Sequence, residues 1–333
     1  MLCNKFCGLK SSIVIDRILS EICKKLDMAK TVLITGGTGM IGRRLTELLL
    51  EKGFKVSYLS RQKENITGVK VYRWDISKKY IEDGALETAD YIVSLAGAGI
   101  ADERWTEKRK KEIIESRTKG IELIANELQS RAYNVKACVC ASGIGFYGAD
   151  TGNEHLDEEA VSGTDFIAHV SRQWEKSSEL FENIKIRTTI LRIGVVLSEK
   201  GGALPKIAAP IRFGAGSAIG SGKQWLSWIH LDDLCGMIIA AIENEKWKGI
   251  YNAVSPNPVT NLDFTRQIAK VLNRPLLLPN VPSFVLKMAL GELADLVIGG
   301  NYVLNQKILD KTDFQYKFDT LFPALTNLLK KST

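Results

Sequence analysis

The chain has 333 residues, a formal net charge of +7 from 45 basic and 38 acidic side chains, and 45% hydrophobic residues. These values are ordinary for a globular protein with one large α/β domain, or with one domain and a smaller lobe. The basic excess is not gathered into one block, which argues against a nucleic-acid-binding protein. No run is long and apolar enough to span a bilayer.

Residues 1–29 are predicted to form an N-terminal extension outside the fold. Residues 1–27 mix apolar and charged side chains and do not resemble a secretory signal. Val14, Ile18 and Ile22 lie four apart, so a basic amphipathic helix is the alternative interpretation. None of the six cysteines has zinc spacing with a histidine, so we predict no metal site and a reduced, cytoplasmic protein.

The stretch from Thr31 to Arg61 predicts a strand, a glycine turn, a helix and a second strand. Gly36, Gly39 and Gly42 follow the first strand at three-residue spacing. Such glycines permit a sharp turn, close approach of a pyrophosphate and tight packing of the helix, whose free N–H groups attract the anion. A glycine-rich loop without a ligand is the alternative, which the strand–turn–helix context disfavours. The predicted cofactor-binding residues are Gly36, Thr38, Gly39, Met40, Ile41, Gly42 and Arg43.

The end of the second strand selects between the two nicotinamide dinucleotides. An acid there favours the free 2′-hydroxyl of NAD, and an arginine favours the 2′-phosphate of NADP. Residues 58–61 contain no acid and end in Ser60 and Arg61. We therefore predict NADP(H), with Ser60 and Arg61 at the 2′-phosphate. Arg43 is either a second positive charge for that phosphate or an ordinary solvated arginine.

The ends of the next two predicted strands supply further cofactor candidates. Asp75 follows the strand that begins at Val69, and it either flanks the adenine or caps the next short helix. Leu95, Ala96 and Gly97 follow the fourth strand, where small residues let a ligand lie against the backbone.

A long helix is predicted from Glu103 to Gln129, and Arg117 falls on its apolar stripe. A buried arginine needs an anionic or polar partner. That partner is either an internal salt bridge or a ligand, and we favour the ligand because the helix lies beside Ala96 and Gly97. Glu112 on the same helix is a weaker cofactor candidate.

The fifth strand, residues 135–141, leads into Ser142 and a glycine-rich loop with Tyr147. Both residues follow the carboxyl edge of the sheet, where ligands bind in such folds. Cys138 and Cys140 alternate within the strand and are predicted to be small core residues. Five alternating strand and helix units predict an α/β fold with a parallel, doubly wound Rossmann sheet.

The second half is predicted to add a smaller, mainly helical lobe on the substrate side. Residues 201–222 are predicted to be a binding loop, Asp232 or Asp233 to cap the next helix, and His230 to be structural. Thr260 and Asp263 predict the start of another helix. The resulting division is an NADP-binding domain at 30–200, interleaved with substrate loops and a C-terminal lobe at 201–330.

Several of these motifs together resemble the epimerase-like branch of the extended short-chain dehydrogenase/reductases. They are TGGTGMIG at 35–42, LAG at 95–97, Ser142 and WIHLDD at 228–233. Three further stretches resemble the atypical members labelled epimerase-family or SulA-like cell-division-inhibitor proteins: 104–117, 194–204 and 303–309. The resemblance covers about residues 30 to 330. It implies an NADP-binding Rossmann fold with a C-terminal helical lobe, but no settled substrate.

The chain departs from the active enzymes that it resembles. They carry a Tyr-x-x-x-Lys pair on the helix after the fifth strand, with the tyrosine as acid/base and the lysine lowering its pKa. Alignment on Glu175 puts Ile167 and Ser171 at those two positions, and Arg117 stands where the enzymes use an asparagine. The cofactor half is therefore intact, and the proton-transfer half is rebuilt or lost.

Two functions follow from this mixture. In the first, the protein is an NADP(H)-dependent oxidoreductase or epimerase acting on an unknown small molecule, with Ser142, Tyr147 and Arg117 as catalytic candidates. In the second, it is a non-catalytic NADP(H)-binding sensor or regulator. The absence of the Tyr-x-x-x-Lys pair favours the sensor. The basic residues of 201–222 favour the enzyme, and this is the function that we prefer. The protein is expected to be a monomer or a homodimer.

Overall fold

Fourteen strands form within residues 29–330, the part of the chain that the computed structural model describes. The predicted N-terminal extension therefore lies outside the described residues, apart from Ala29. The strands are β1 (Thr31–Thr35), β2 (Lys55–Ser60), β3 (Val69–Asp75), β4 (Tyr80–Ile81), β5 (Tyr91–Ser94), β6 (Ala137–Gly143), β7 (His155–Leu156), β8 (Arg187–Ile193), β9 (Val195–Leu197), β10 (Trp225–Leu226), β11 (Trp228–His230), β12 (Gly249–Ala253), β13 (Val259–Thr260) and β14 (Tyr302–Val303).

Eight of these strands form the central sheet, in the order β12-β8-β6-β5-β1-β2-β3-β4. All neighbours are parallel except β3 and β4. Counted without β4, the seven parallel strands follow the doubly wound order 3-2-1-4-5-6-7. The predicted α/β Rossmann fold is confirmed.

Ten α-helices connect and flank the strands in the described residues. They are α1 (Met40–Glu51), α2 (Glu107–Ser130), α3 (Phe166–Asn183), α4 (Ala203–Arg212), α5 (Leu231–Glu243), α6 (Asn261–Val271), α7 (Ser283–Leu290), α8 (Asp295–Ile298), α9 (Gln306–Lys311) and α10 (Leu321–Leu329). Two 3₁₀ turns lie at Ile144–Tyr147 and Gly291–Ala294.

The apolar core has one layer on each face of the sheet, because β1 alternates its side chains between them. Val32 and Ile34 pack with α1 and α5, and Leu33 packs with α2 and α3. Cys138 and Cys140 lie in the second layer, which confirms them as core residues, and burial raises the pKa of Cys140 to about 12.

The C-terminal lobe has a core of its own, to which α4 contributes Leu204, Ala208 and Ile211. The prediction of a continuous loop over residues 201–222 was therefore wrong. The three residues recur at helical spacing, but glycine and proline obscure the pattern, since Pro205 lies in the first turn of α4 and Pro210 near its end. The helical prediction from Pro282 onward holds except where β14 interrupts it.

Side chains cap four helices at the positions that favour capping, and one of them is Asp165, which caps α3 by accepting a hydrogen bond from the Ala168 N–H at 2.9 Å. Thr106 caps α2, so this helix begins at Glu107 rather than at the predicted Glu103. The ring of His230, not Asp232 or Asp233, caps α5 by accepting a hydrogen bond from the Asp232 N–H at 3.1 Å. Thr260 caps α6 as predicted.

The two aspartates beside His230 instead connect elements. Asp232 forms an ion pair with Arg44 of α1 at 2.7 Å, and Asp233 accepts hydrogen bonds from the backbone of Lys317 and Phe318. Thus both carboxylates and the histidine hold structure together.

Strand β12 comes from the second half of the chain, so the sheet needs residues from both predicted domains. The predicted boundary near residue 200 itself stays a prediction. Among residues 29–330, no helix combines the length and the apolarity needed to cross a bilayer.

Candidate active site

The candidate site lies where the chain leaves β1 and β5 in opposite directions. Ligands of doubly wound folds bind at this point, beyond the carboxyl ends of the strands. Gly36 follows β1 with a φ of +72°, and a Cβ on it would lie 2.9 Å from the Ala96 nitrogen after β5. Only glycine fits both the conformation and this close approach.

The same turn packs tightly against the start of α1. A Cβ on Gly42 would lie 2.6 Å from the carbonyl oxygen of Gly36, and one on Gly37 would collide with the ring of Tyr58. Gly36 and Gly42 therefore fulfil the predicted roles in turning and packing. Gly37 is a third glycine required for packing. The sequence did not indicate this role, because Gly37 lies outside the three-residue spacing of the other glycines.

The first turn of α1 is open to an anion. No side chain caps it, no acidic residue lies in it, and Gly39 precedes it in extended conformation. The first N–H groups of a helix have no partner within the helix and carry partial positive charge. Thr38, Met40 and Ile41 belong to this turn, and their binding to a cofactor stays a prediction. A turn of this kind can hold a pyrophosphate.

Two arginines lie beside the glycine turn and just beyond the end of β2. Arg61, just beyond β2, is exposed, and Ser60 is half-buried. The Nε of Arg43, which is exposed, donates to the Thr38 carbonyl at 2.7 Å, so this side chain also braces the glycine turn. Both arginines can reach an anionic ligand from solvent.

Asp75 at the end of β3 makes a local turn. Its carboxylate accepts hydrogen bonds from the hydroxyl of Ser77 at 2.7 Å and from the N–H groups of Ser77 and Lys78. These bonds lower the pKa of Asp75. The short helix that Asp75 was predicted to cap does not form, because residues 76–79 make a turn between β3 and β4 that Asp75 closes. A cofactor contact of Asp75 remains a proposal.

Arg117 lies beneath the backbone that follows β5. A Cβ on Gly97 would lie 3.0 Å from the guanidinium carbon of Arg117. Arg117 is 6% exposed, and its guanidinium donates to the carbonyls of Ile113 at 2.8 Å and Ala98 at 2.9 Å. Its carbon lies 4.9 Å from the ring centre of Trp174.

Arg117 carries a buried charge without a carboxylate partner. Within residues 29–330 its Nε has no hydrogen-bond partner, and it makes no ion pair. Burial lowers the pKa of Arg117 to about 10, helped by the nearby charge of Arg109, so the group is still protonated at neutral pH. An internal salt bridge, the alternative to a ligand, does not form among the described residues, and the charge faces the Gly97 edge.

A second buried arginine, Arg109, holds the same loop. It donates to the Gly99 carbonyl at 2.7 Å and to the carboxylate of Glu112 at 2.9 Å. Glu112 is thereby directed to Arg109 rather than to Gly97. Arg109 precedes Arg117 by eight residues, a helical spacing that could have signalled a shared face.

Ser142 and Tyr147 lie in a buried polar network around Arg192. Ser142, Arg192 and Asn252 are neighbours across β6, β8 and β12. The Ser142 hydroxyl donates to Oε1 of Glu175 at 2.8 Å, and Arg192 donates to both oxygens of that carboxylate at 2.9 Å. All four side chains are buried.

Tyr147 completes the network from the loop after β6. Its hydroxyl accepts from Arg192 at 3.1 Å and lies 2.7 Å from the Asn252 side-chain oxygen, to which it donates. Burial raises the pKa of Tyr147 to about 12. A general acid/base works best with a pKa near the working pH, so this environment does not suit Tyr147 to proton transfer.

The face of α3 toward this network carries no ionisable side chain at the two positions aligned with the missing pair. Ile167 contacts Gly145, and the hydroxyl of Ser171 donates to the Ile167 carbonyl at 3.1 Å. Beside them, the rings of Phe166 and Trp105 meet edge-on with centres 4.8 Å apart. These two aromatic residues, which the sequence did not single out, pack against each other at the start of α3.

Two family models match the chain. Residues 32–253 match the NAD dependent epimerase/dehydratase family, and residues 281–328 match a domain of unknown function, DUF1731. The second match covers most of the helical C-terminal part that the sequence resemblance implied.

Individual relatives cover almost the whole described chain. The epimerase family protein YfhF of Bacillus subtilis is 38% identical over 303 residues, 90% of this chain and 97% of that protein. A chloroplastic SDR39U1 homolog of Arabidopsis thaliana is 37% identical over 309 residues, 90% of this chain and 87% of that protein. The crystal structure of human SDR39U1 (isoform 2) with NADPH is 31% identical with a TM-score of 0.81, and the match covers 90% of this chain and 98% of that one. These matches confirm the predicted relationship, and the chain belongs to the NAD dependent epimerase/dehydratase family.

Proposed function

We propose that the chain binds NADP(H) along the edge formed by β1, β2 and β5, and that it acts on a carbonyl or hydroxyl carbon of a small molecule. The observation that carries the proposal is the glycine turn with its uncapped helix, followed by a strand that ends in Ser60 and Arg61 without an acid. When bound, NADP(H) supplies or accepts a hydride.

The residues of the turn divide the binding between them. The first N–H groups of α1 bind the pyrophosphate. Ser60, Arg61 and Arg43 bind the 2′-phosphate, since charge-assisted hydrogen bonds to phosphate are the strong ones. The backbone at Leu95, Ala96 and Gly97 lies along the cofactor, and the Asp75 turn borders the adenine. The NADPH in the crystal structure of human SDR39U1 supports this preference.

Arg117 is proposed to act electrostatically from below Gly97. A buried positive charge without a carboxylate partner favours negative charge nearby, either on the cofactor or on a substrate oxygen. Glu112 contributes through Arg109, which it holds against the Gly99 carbonyl.

The roles of Ser142 and Tyr147 follow from where their protons point. Ser142 donates to Glu175, so toward a ligand its oxygen can only accept a hydrogen bond. It can therefore bind a hydroxyl group but not donate to a carbonyl. Tyr147 is proposed to position Arg192 rather than to exchange protons.

A second function, an NADP(H)-binding sensor without turnover, is favoured by the same network. Neither Ser142 nor Tyr147 is free to transfer a proton, and α3 has no tyrosine. A sensor needs only the binding half of the site.

Two measurements test these proposals. Titration with NADPH and NADH, followed by nicotinamide fluorescence, should show tighter binding of NADPH; equal affinities would refute the preference for the 2′-phosphate. A screen of carbonyl compounds with bound NADPH, and of alcohols with NADP⁺, then measures turnover. The enzyme proposal is supported if the wild type turns over the cofactor and Ser142→Ala loses this turnover but keeps its affinity for NADPH. The sensor proposal is supported if no compound in the screen causes turnover of the cofactor.

A further inference from the structure

Six large apolar side chains are exposed in the C-terminal lobe, and we call them the apolar surface. They are Phe213, Leu277, Leu278, Phe284, Val285 and Met288. They account for more than half of the eleven exposed large hydrophobic side chains among the described residues, and Phe213 is 88% exposed, Leu277 80% and Met288 73%. A concentration of this kind marks an interaction site, whereas scattered apolar residues do not.

The two segments that carry the apolar surface are bonded to each other. The Val281 N–H donates to the Ala218 carbonyl at 2.8 Å, and the Gly220 N–H donates to the Val281 carbonyl at 2.9 Å. A Cβ on Gly216 would lie 2.9 Å from the side chain of Leu276. The apolar side chains that follow α4 and those that precede and form α7 therefore belong to one region.

Helix α7 presents its apolar residues outward. None of its eight residues is buried, although its sequence, SFVLKMAL, is mostly apolar. Contacts near its C-terminal end hold it in place: Arg104 donates to the Ala289 carbonyl at 2.7 Å, and Lys110 pairs with Glu292 at 2.9 Å. A helix this short is marginal alone, so a partner that covers Phe284 and Met288 would stabilise it.

Basic side chains predominate around the apolar surface, which Asp263, Glu292 and Asp295 border. Residues 200–231 and 264–291 contain eight basic side chains, all exposed, and no acid. They are Lys200, Lys206, Arg212, Lys223, Arg266, Lys270, Arg274 and Lys287. Of these, Arg266 and Lys287 are the ones that pair with a carboxylate among residues 29–330. The rest present uncompensated positive charge.

We propose that this surface docks on an anionic lipid bilayer, with the apolar side chains in the interface and the cations at the headgroups. Apolar residues flanked by lysine and arginine combine the two attractions that bring a helix to such a membrane. The long aliphatic stems of Lys206 and Arg212 allow their charges to reach headgroups while Phe213 enters the interface.

The charge pattern argues against a second copy of the chain as the partner. A two-fold interface brings the same patch of both subunits together. Arg212, Arg274 and Lys287 would then face a copy of the same basic region. Charges of like sign in such an interface are costly, whereas an anionic membrane complements them.

Vesicle sedimentation of the full chain tests the proposal. The protein should bind vesicles of phosphatidylcholine with phosphatidylglycerol, bind phosphatidylcholine alone weakly, and dissociate as salt is raised. Each basic residue near such a surface adds to the attraction. Lys206→Glu with Arg212→Glu should therefore lower binding by on the order of tenfold or more. Phe284→Ser with Met288→Ser should lower it as well.

Matched variants outside the surface serve as controls. Lys70→Glu with Lys79→Glu changes the same charge elsewhere, and Val161→Ser with Leu309→Ser removes two other exposed apolar side chains. Both controls should bind like the wild type, and all variants should keep their thermal unfolding transition and NADPH affinity. Equal binding to neutral vesicles, or an equal loss in the controls, overturns the proposal. Analytical ultracentrifugation gives a further test. If the protein is a dimer, and Phe284→Ser with Met288→Ser dissociates it, the surface is an interface between copies and the proposal is overturned.

Discussion

The glycine turn before α1 and the network around Arg192 lie at the same edge of the sheet, but they treat polar groups in opposite ways. The turn leaves helix N–H groups uncapped and Arg61 exposed. In the network, every nitrogen of the Arg192 guanidinium donates, and both oxygens of Glu175 accept. Polar groups that serve the fold are satisfied internally, whereas those that await a ligand stay open. This difference supports the proposal that the first region binds ligand, and it gives the buried ion pair of Arg192 with Glu175 in the second region a structural role.

The largest effect is expected from Glu175→Ala, which would leave Arg192 buried without its carboxylate. Removing one partner of a buried pair costs about 3–5 kcal/mol. Urea denaturation should show that loss in the free energy of unfolding, and Glu175→Gln should show part of it. Glu179→Ala, an exposed position on the same helix, is the control. A loss no larger than that of the control would mean that the network does not support the fold.

Gly42→Ala tests the other region, since the new methyl group would press on the Gly36 carbonyl. Overpacking of this kind costs about 1–3 kcal/mol, and the shift of α1 should weaken NADPH binding strongly in fluorescence titrations. Gly53→Ala is the matched control. Its φ is +83° with open space around it, so it should lose about 1–2 kcal/mol but keep its affinity. If Gly42→Ala binds NADPH normally, the turn is not the pyrophosphate site.

Arg61→Ala sharpens the comparison further, because it should change affinity without changing stability. A charge-assisted hydrogen bond contributes about 1.5–3 kcal/mol, so the Kd for NADPH should rise about tenfold to a hundredfold. The Kd for NADH, which lacks the 2′-phosphate, should stay the same. Arg131→Ala at the far end of α2 should change neither value. Equal losses for both cofactors would place Arg61 outside the 2′-phosphate site.

The smallest effect is expected on the pH dependence of stability, through the structural residue His230. Burial lowers the pKa of this side chain in the folded protein. A histidine in the unfolded chain has a pKa of about 6.5. As the pH falls through this value, the unfolded chain therefore binds more protons than the folded one. Stability should be full above that pH and decline below it, toward the lowered pKa of the folded state. Asn can keep the cap of α5, so His230→Asn should remove this part of the pH dependence in unfolding measurements at several pH values. His169→Asn, at an exposed position, should leave it unchanged.

Local patterns were sufficient to predict most of the fold and the geometry of the glycine turn. The apolar run of β1 and its glycines were sufficient because strand, turn and helix are contiguous in the chain. The helix α4 was missed because Pro205 and Pro210 resemble loop residues. Pro205 is tolerated in the first turn, whereas Pro210, near the end of the helix, removes one of its hydrogen bonds.

The network could not be predicted because it joins residues far apart in sequence. Glu175 lies 33 residues after Ser142, and Arg192 lies 17 after Glu175. Only the pairing of β6 with β8 places Ser142 beside Arg192. Without that register, a serine at a strand end suggests catalysis, and a tyrosine in a glycine-rich loop suggests the same.

Strand β12, which joins the sheet from the second half of the chain, has a consequence for synthesis. Until residues 249–253 emerge from the ribosome, β8 is the outer strand of a parallel sheet and exposes an unpaired edge of backbone groups. A fragment that ends near residue 200 would contain every cofactor motif and still be prone to pair with other chains. Productive folding of the nucleotide-binding half therefore waits for translation of the second half.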